Sequence, residues 1–296
     1  MALMDTQEHL TRRLLEDLAP FVARLPGPAG RATPVPRLTV WASTTPTPPV
    51  AAVFEPMFYV VLRGRKVLTM GANRFELRPG TCAASSFGLP YSHQLAGASP
   101  GLPYVGVSLH LEAERIARVA QDMPRQEEGQ ACAVAAAELG GAAGEAFARL
   151  VGLVNSPGDI DMLAPLYERE LCYRLLQGPM GATLRQLAPG DPRSRRIRAA
   201  ADWLGSHSSA PVAIADLAAG AGMSVTSFHR HFKAVTGYSP LAFQRQMRLL
   251  EARRLLAAGG TSVAAVAYRV GYQSPSQFSR EYKGRFGSPP AADLQR

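Results

Sequence analysis

The sequence predicts an α+β chain of two domains. The first is a small β-barrel with flanking helices, the second an all-α unit of two helix-turn-helix motifs joined by a long helix. Three observations predict this. Short apolar runs broken by Gly and Pro fill residues 31–111, helical periodicity replaces them after residue 112, and one segment is written twice. IADLAAGAGMSVTSFHRHFKAVTG, residues 214–237, returns as VAAVAYRVGYQSPSQFSREYKGRFG, residues 263–287. Ser224, Phe228, Arg230, Lys233 and Gly237 recur fifty positions later as Ser274, Phe278, Arg280, Lys283 and Gly287.

Charge divides the chain at the same place. Of 32 Lys and Arg and 23 Asp and Glu, 14 and 5 lie between Ser194 and Arg296, so the first 193 residues hold 18 of each and the net +9 belongs to the last third. A basic domain attached to a neutral one points to a polyanionic partner for the basic part. The expected limits are 1–180 for the barrel and its helices, 181–193 for a linker and 194–296 for the basic domain.

Taken in order, Leu3, Leu10, Leu14, Leu15, Leu18 and Phe21 keep rough helical spacing and predict an amphipathic helix ending before Pro26. The first residues carry acids and lack a long apolar core, so no signal peptide is expected; no run approaches a membrane span. Cys82, Cys132 and Cys172 are scattered and odd in number, which argues against a disulfide framework or a zinc finger and for a reducing cytoplasm.

Seven runs then read as strands: LTVWAS, VAAVFE, MFYVVLRG, RKVLTMG, NRFELRPG, TCAASSF and PYVGVSLHLE. Hairpin turns are expected at Arg63-Gly64-Arg65 and Gly71-Ala72-Asn73. A barrel of this size can enclose one small ligand. Tyr59, Tyr91, His93 and Tyr104 are the candidate pocket residues, with Arg63 as a charged contact. Arg63, Arg65, Lys66, Arg74 and Arg78 gather near the two turns, either as an anion site or as solvated tips that discourage edge pairing. Cys82 reads as a buried inert thiol, a sensor only if its thiolate were stabilised. With His93 and His110 the barrel's only histidines and no HxH pair in the barrel, no metal site is expected; no phosphate loop, dinucleotide fingerprint or nucleophile motif calls for a cofactor or catalytic residue.

Three helices are expected next: EAERIARVAQDM, the Ala-rich stretch around 131–154, and DMLAPLYERELCYRLLQG with Asp159 as N-cap. Gly178, Pro179, Gly181 and Pro189-Gly190-Asp191-Pro192 mark the linker. In the first repeat Val212, Ile214, Leu217, Ala218 and Ala221 form the buried face of a positioning helix, Gly222 turns and Ser224 caps. Val225, Phe228 and Phe232 are expected inward; Thr226, Ser227, His229, Arg230 and Lys233 face out. In the second, Val263, Val266, Ala267 and Val270 pack, Gly271 turns, Ser274 caps, Pro275 opens the helix, and Phe278 and Tyr282 are buried. Ser276, Gln277, Ser279, Arg280 and Lys283 remain outside. Pro240 to Ala258 contains no glycine and predicts one long helix between the repeats, whose Arg245, Arg248, Arg253 and Arg254 are as readily solvated or ion-paired as in contact with DNA.

The order barrel, helices, linker and paired helix-turn-helix resembles the AraC/XylS family of bacterial transcription regulators. RVGYQSPSQFSREYKGRFGSPP carries the resemblance at the back; FEPMFYVVLRGRKVLTMG, FELRPG and LPYSHQL carry it at the front, where the family has a cupin-like regulatory barrel. The resemblance implies a sequence-specific DNA-binding regulator whose barrel senses a small molecule. It implies base-edge contacts from Thr226, His229 and Arg230 in one repeat and Ser276, Gln277 and Arg280 in the other. Arg can bond guanine O6 and N7 together, and Gln adenine N6 and N7. Ser224, Ser227, Lys233, Ser274 and Lys283 suit phosphate, which positions the domain without reading sequence. The partners implied are double-stranded DNA, an unidentified effector and RNA polymerase; the helices between 112 and 177 allow a homodimer, although no heptad run specifies one. Two other readings stay open: a cupin-type metal enzyme carrying a basic domain, and a ligand-independent DNA-binding protein whose barrel only dimerises.

Overall fold

A computed structural model describes residues 2–23, 29–124, 132–188 and 192–294. The barrel is built from two antiparallel sheets. One runs β1 (Ala29–Ala32), β2 (Leu38–Ser43), β9 (Tyr104–His110), β4 (Met57–Arg63), β7 (Thr81–Ser85), β10 (Val134–Glu138); the other runs β3 (Val50–Phe54), β8 (Leu89–Ala96), β5 (Arg65–Met70), β6 (Asn73–Leu77). Successive strand residues point to opposite faces, so β4, β7 and β9 of the larger sheet serve two cores. Phe58, Val60, Leu62, Val105, Val107 and Leu109 pack outward against Leu10, Leu14 and Leu18 of α1 (Ala2–Val22), Phe147 and Leu150 of α3 (Gly141–Gly152), and Leu171 and Leu175 of α4 (Ile160–Gln177). Tyr59, Val61, Ala83 and Tyr104 point inward, meeting Leu68, Met70, Leu77, Leu89, Tyr91 and Leu95 of the smaller sheet. This explains why MFYVVLR is a continuous apolar run: both of its faces are buried.

The seven expected strands all form. The turn at Gly71 is a two-residue hairpin closing Met70 onto Asn73. The one at Gly64 is not a hairpin: β4 and β5 lie in different sheets, and Gly64, at φ 79°, carries the chain from one to the other. The five basic residues around these turns therefore do not form one site. Arg65 and Arg78 pair with Glu76 at 3.4 and 3.1 Å, Arg74 is exposed, and Lys66 turns inside.

Residues 134–138 are a second correction. The Ala-rich composition predicted helix, but VAAAE pairs in full with TCAAS of β7. Small side chains lie flat on that sheet, and strand pairing overrides helix propensity. Helix α2 (Ala113–Gln121) forms where expected. Asp159 does precede α4, but in αR conformation and without a side-chain cap bond. Within the expected linker, α5 (Gly181–Arg185) buries Leu184 against the barrel helices; Pro189–Asp191, like Pro26, lie outside the described residues.

The back half is helical: α6 (Pro192–Ser206), α7 (Ile214–Gly220), α8 (Val225–Thr236), α9 (Pro240–Ala258), α10 (Val263–Arg269) and α11 (Pro275–Phe286). α9 is the single long helix expected. Ser239, Ser262, Ser224 and Ser274 cap α9, α10, α8 and α11, each accepting the N–H three residues on at 3.2–3.4 Å. Gly237 and Gly287 end the two second helices in the left-handed conformation, at φ 79° and 77°.

Candidate nucleic-acid interface and barrel interior

In each repeat a two-helix corner is held by aromatic packing. Phe228 and Phe232 anchor α8, with Phe243 of α9 edge-on to Phe232 at 5.5 Å. Phe278 and Tyr282 anchor α11, with Tyr272 edge-on to Phe278 at 5.3 Å. The Tyr282 hydroxyl donates to Asp293, which also receives Arg253 at 3.5 Å.

The opposite faces carry the expected polar residues. Thr226, Arg230 and Lys233 are exposed on α8, with Ser227 and His229 half-buried; Ser276, Gln277, Arg280 and Lys283 are exposed on α11. Ser224 and Ser274 spend their hydroxyls on capping. Val225 departs from expectation: it is 44% exposed rather than in the core. It is the first residue of α8, where the chain has not yet turned its apolar stripe toward Phe243.

The arginines of α9 divide by role. Arg248 donates to the carbonyls of Ser208, Ala210 (3.0 Å) and Gly271 (3.4 Å), tying the loop before α7 to the turn of the second repeat. Gln244 reinforces it, donating to Ser208 O at 3.1 Å and Ala210 O at 2.7 Å. Arg254 pairs with Glu251 at 2.8 Å, and Arg253 lies over the Phe286 ring. Arg245 remains exposed on the rim of a cleft of about 590 Å³ between the repeats, shared with Ser239, Gln277 and Glu281.

Inside the barrel the structure brings together four of the five expected pocket residues. The Tyr59 and Tyr104 hydroxyls bond at 2.9 Å, and Tyr91 stacks on His93 at 5.5 Å. Burial raises the pKa of all three tyrosines, that of Tyr91 to about 12. Arg63 is not part of the cluster; half-buried at the end of β4, it has no ion pair among the described residues. The sequence reading missed Lys66, only 7% exposed, whose ammonium sits 3.7 Å from the Tyr59 ring centroid. Burial pulls Lys66 down to about 7; burial, then the Lys66 charge, pull His93 down to about 4, and His93 Nδ1 is buried without a partner. The signal was present in the alternation of β5: Lys66, Leu68 and Met70 share the inward phase. Cys82 is buried, donates to Ala137 O and is pushed up to about 12 by desolvation, the environment of an inert thiol. Among the described residues no group of three His, Cys, Asp or Glu could hold a metal ion, and no helix is long and apolar enough to cross a membrane.

Comparison with known proteins meets this geometry at both ends. The AraC-type transcriptional regulator N-terminus matches residues 34–183, half the chain, and a helix-turn-helix domain matches 217–296. The chain belongs to the AraC-type transcriptional regulators. Its curated relatives in that family include the HTH-type transcriptional regulator ExsA of Pseudomonas aeruginosa, 30% identical over 138 residues (45% of this chain, 48% of ExsA). The HTH-type transcriptional activator RhaS of Yersinia pestis is 31% identical over 105 residues (36% of this chain, 38% of RhaS). The chain thus spans half or less of the length of these relatives. ToxT of Vibrio cholerae, solved with an unsaturated fatty acid bound, shares the fold across 87% of this chain and 94% of its own, with a TM-score of 0.55 and 10% identity.

Proposed function

We propose that this AraC-type regulator binds duplex DNA through residues 194–296 and that residues 1–180 sense a small acidic molecule. One observation carries the first part: α8 and α11 present matched polar faces from one continuous scaffold. The N-terminal residues of a recognition helix are those that reach base edges in the major groove. Thr226, His229 and Arg230, and Ser276, Gln277 and Arg280, are the readers; Ser227, Lys233 and Lys283 meet phosphate, and the capped starts at Ser224 and Ser274 turn free N–H groups toward it. α9, about 28 Å long at 1.5 Å per residue, spaces the helices for successive major-groove segments.

The sensing part is supported by Lys66. Its ammonium is buried with no carboxylate against it among the described residues, beside the unpartnered His93 Nδ1 and the Tyr59–Tyr104 pair. A buried cation without a counter-ion favours an anionic guest. The chain acts in the cytoplasm and meets RNA polymerase at its promoters. It self-associates through α4, where Met162 and Leu166 stand 76% and 61% exposed beside Tyr173.

Selection of DNA from a random pool with the full chain, with and without an acidic fraction of cell metabolites, tests the whole reading. The expected result is a site with two segments one helical turn apart, repeated where two copies bind, whose enrichment depends on the fraction. Failure to enrich any sequence would reject DNA reading; enrichment indifferent to the fraction would reject acid sensing.

A further inference from the structure

Gln277 and Glu281 stand one turn apart on the DNA-facing side of α11, and they are bonded to each other. The Gln277 amide Nε2–H donates to Glu281 Oε1 at 3.0 Å. The second carboxylate oxygen of Glu281 accepts from the Tyr272 hydroxyl at 2.7 Å. Tyr272 is buried against Phe278, so the chain Tyr272–Glu281–Gln277 runs from the core of the second repeat to its exposed face. No ion pair competes for Glu281 among the described residues, although Arg245 and Arg248 border the same cleft.

The chemistry of this chain is one-sided. An ionised carboxylate only accepts hydrogen bonds, so the amide nitrogen of Gln277, and not its oxygen, must face Glu281. The amide is thereby held against flipping. What it still offers outward is one acceptor, Oε1, and one donor, the remaining N–H. In the major groove adenine presents a donor at N6 and an acceptor at N7, the complement of that pair; guanine presents two acceptors, O6 and N7. A glutamine whose second donor is already committed cannot satisfy both. Glu281 is also the single acidic residue of α11. A carboxylate facing phosphates is repelled at that position, so its placement calls for a compensating task.

We infer that Glu281 is a positioning residue that locks Gln277 into the orientation that accepts adenine and rejects guanine at the step read by the first turn of α11. The inference rests on the DNA-binding reading above.

The test uses the full chain and its selected site, with each position replaced by all four bases and binding measured by competition. The unmodified chain should prefer adenine over guanine at one position of the second segment, by roughly 5- to 150-fold for a good bidentate contact. Gln277→Ala should flatten that position alone. Glu281→Ala should lower the adenine-to-guanine ratio several-fold at the same position, mainly by letting guanine in, while affinity for the adenine site stays within about threefold. Glu281→Gln, whose carbonyl can still accept, should restore much of the ratio. A uniform loss across all bases with Glu281→Ala, together with a lowered Tm, would make Glu281 structural and overturn the lock. Loss of a cytosine preference would make it a direct reader and overturn the lock as well. If Gln277→Ala leaves every preference intact, the lock fails while DNA reading stands; if the unmodified chain selects no site, both fall.

Discussion

Lys66 shows how one residue sets the chemistry of an interior. It shares a phase with Leu68 and Met70, so the pairing of β5 with β8 delivers its ammonium to the barrel whatever that costs. The cost is visible in its pKa, which burial lowers from 10.5 to about 7. One pKa unit corresponds to about 1.4 kcal/mol, and the Tyr59 ring returns about 0.5–2 kcal/mol as a cation–π contact. The direction of the pH effect follows from proton counting. Between pH 7 and 10.5 the unfolded chain holds a proton at this site that the folded chain has released, so stability rises with pH through that window and is flat in this group below it. Lys66→Met removes the penalty. Thermal melts should therefore find Lys66→Met more stable at pH 7, by an amount on the order of a few kcal/mol after loss of the ring contact, with the gap closing by pH 10.5. A gap of constant size across the window would mean that Lys66 does not titrate there. The same variant should lose the response to acidic metabolites, since the barrel then offers them no cation.

At the scale of elements, the separation of α8 and α11 is set by more than the length of α9. A Cβ on Gly271 would stand 2.3 Å from the Ser209 carbonyl oxygen, so the turn of the second repeat lies directly on the loop before α7, and Arg248 and Gln244 bind that loop from below. Arg248→Ala removes three charge-assisted bonds of the kind worth about 1.5–3 kcal/mol each when desolvated, less here where the guanidinium is half-exposed. Without them the repeats should shift relative to each other. The measurable outcome is a several-fold loss on the selected site with relative gain on sites carrying one inserted base pair between segments; equal loss on all spacings would show that Arg248 holds only its own repeat. These elements also separate what the sequence makes plain from what it hides. α9, the caps at Ser224 and Ser274 and the aromatic anchors were legible because they obey local rules of spacing and capping. β10 was not, because five residues of Ala-rich chain become a strand only when β7 offers its edge. The opposite ends of the Gly64 turn in two sheets, and the bond from Glu281 to Gln277, likewise depend on partners distant in sequence or on one rotamer among several. Four pocket residues can be named from type and position, whereas Lys66 lies among exposed arginines in the sequence and only the phase of β5 separates it from them.

In the whole molecule the barrel and the repeats are joined by a seam. One buried apolar cluster runs from Tyr59, Met70 and Leu77 in the barrel to Ile197 of α6 and to Phe232 and Val235 in the first repeat. The Ala133 N–H donates to Val235 O at 2.9 Å across it, and Arg285 of α11 donates to the Tyr91 carbonyl at 3.0 Å. Tyr91 belongs to β8, the strand that also carries His93 into the interior, so under the proposed function a guest in the barrel and the end of α11 would act on the same strand. Coupling between two sites needs such a shared element, and its strength is the difference in free energy that each site imposes on it. The narrowest point of the seam is Gly71 against Gly237, which explains why Gly237 matters beyond its capping role, shared with Gly287. A Cβ on Gly71 would lie 2.2 Å from the Gly237 carbonyl oxygen, and φ at Gly71 is already 55°. Backbone stands on both sides, so no side chain can give way. Gly71→Ala should therefore part the seam while leaving each fold intact. Hydrogen exchange should quicken in peptides covering 132–137 and 232–238, and in 283–287 as well if the seam opens as one cooperative unit. Faster exchange in the first two alone would mean that Arg285 docks on β8 independently, and the path from the barrel to α11 would then not run through Gly71.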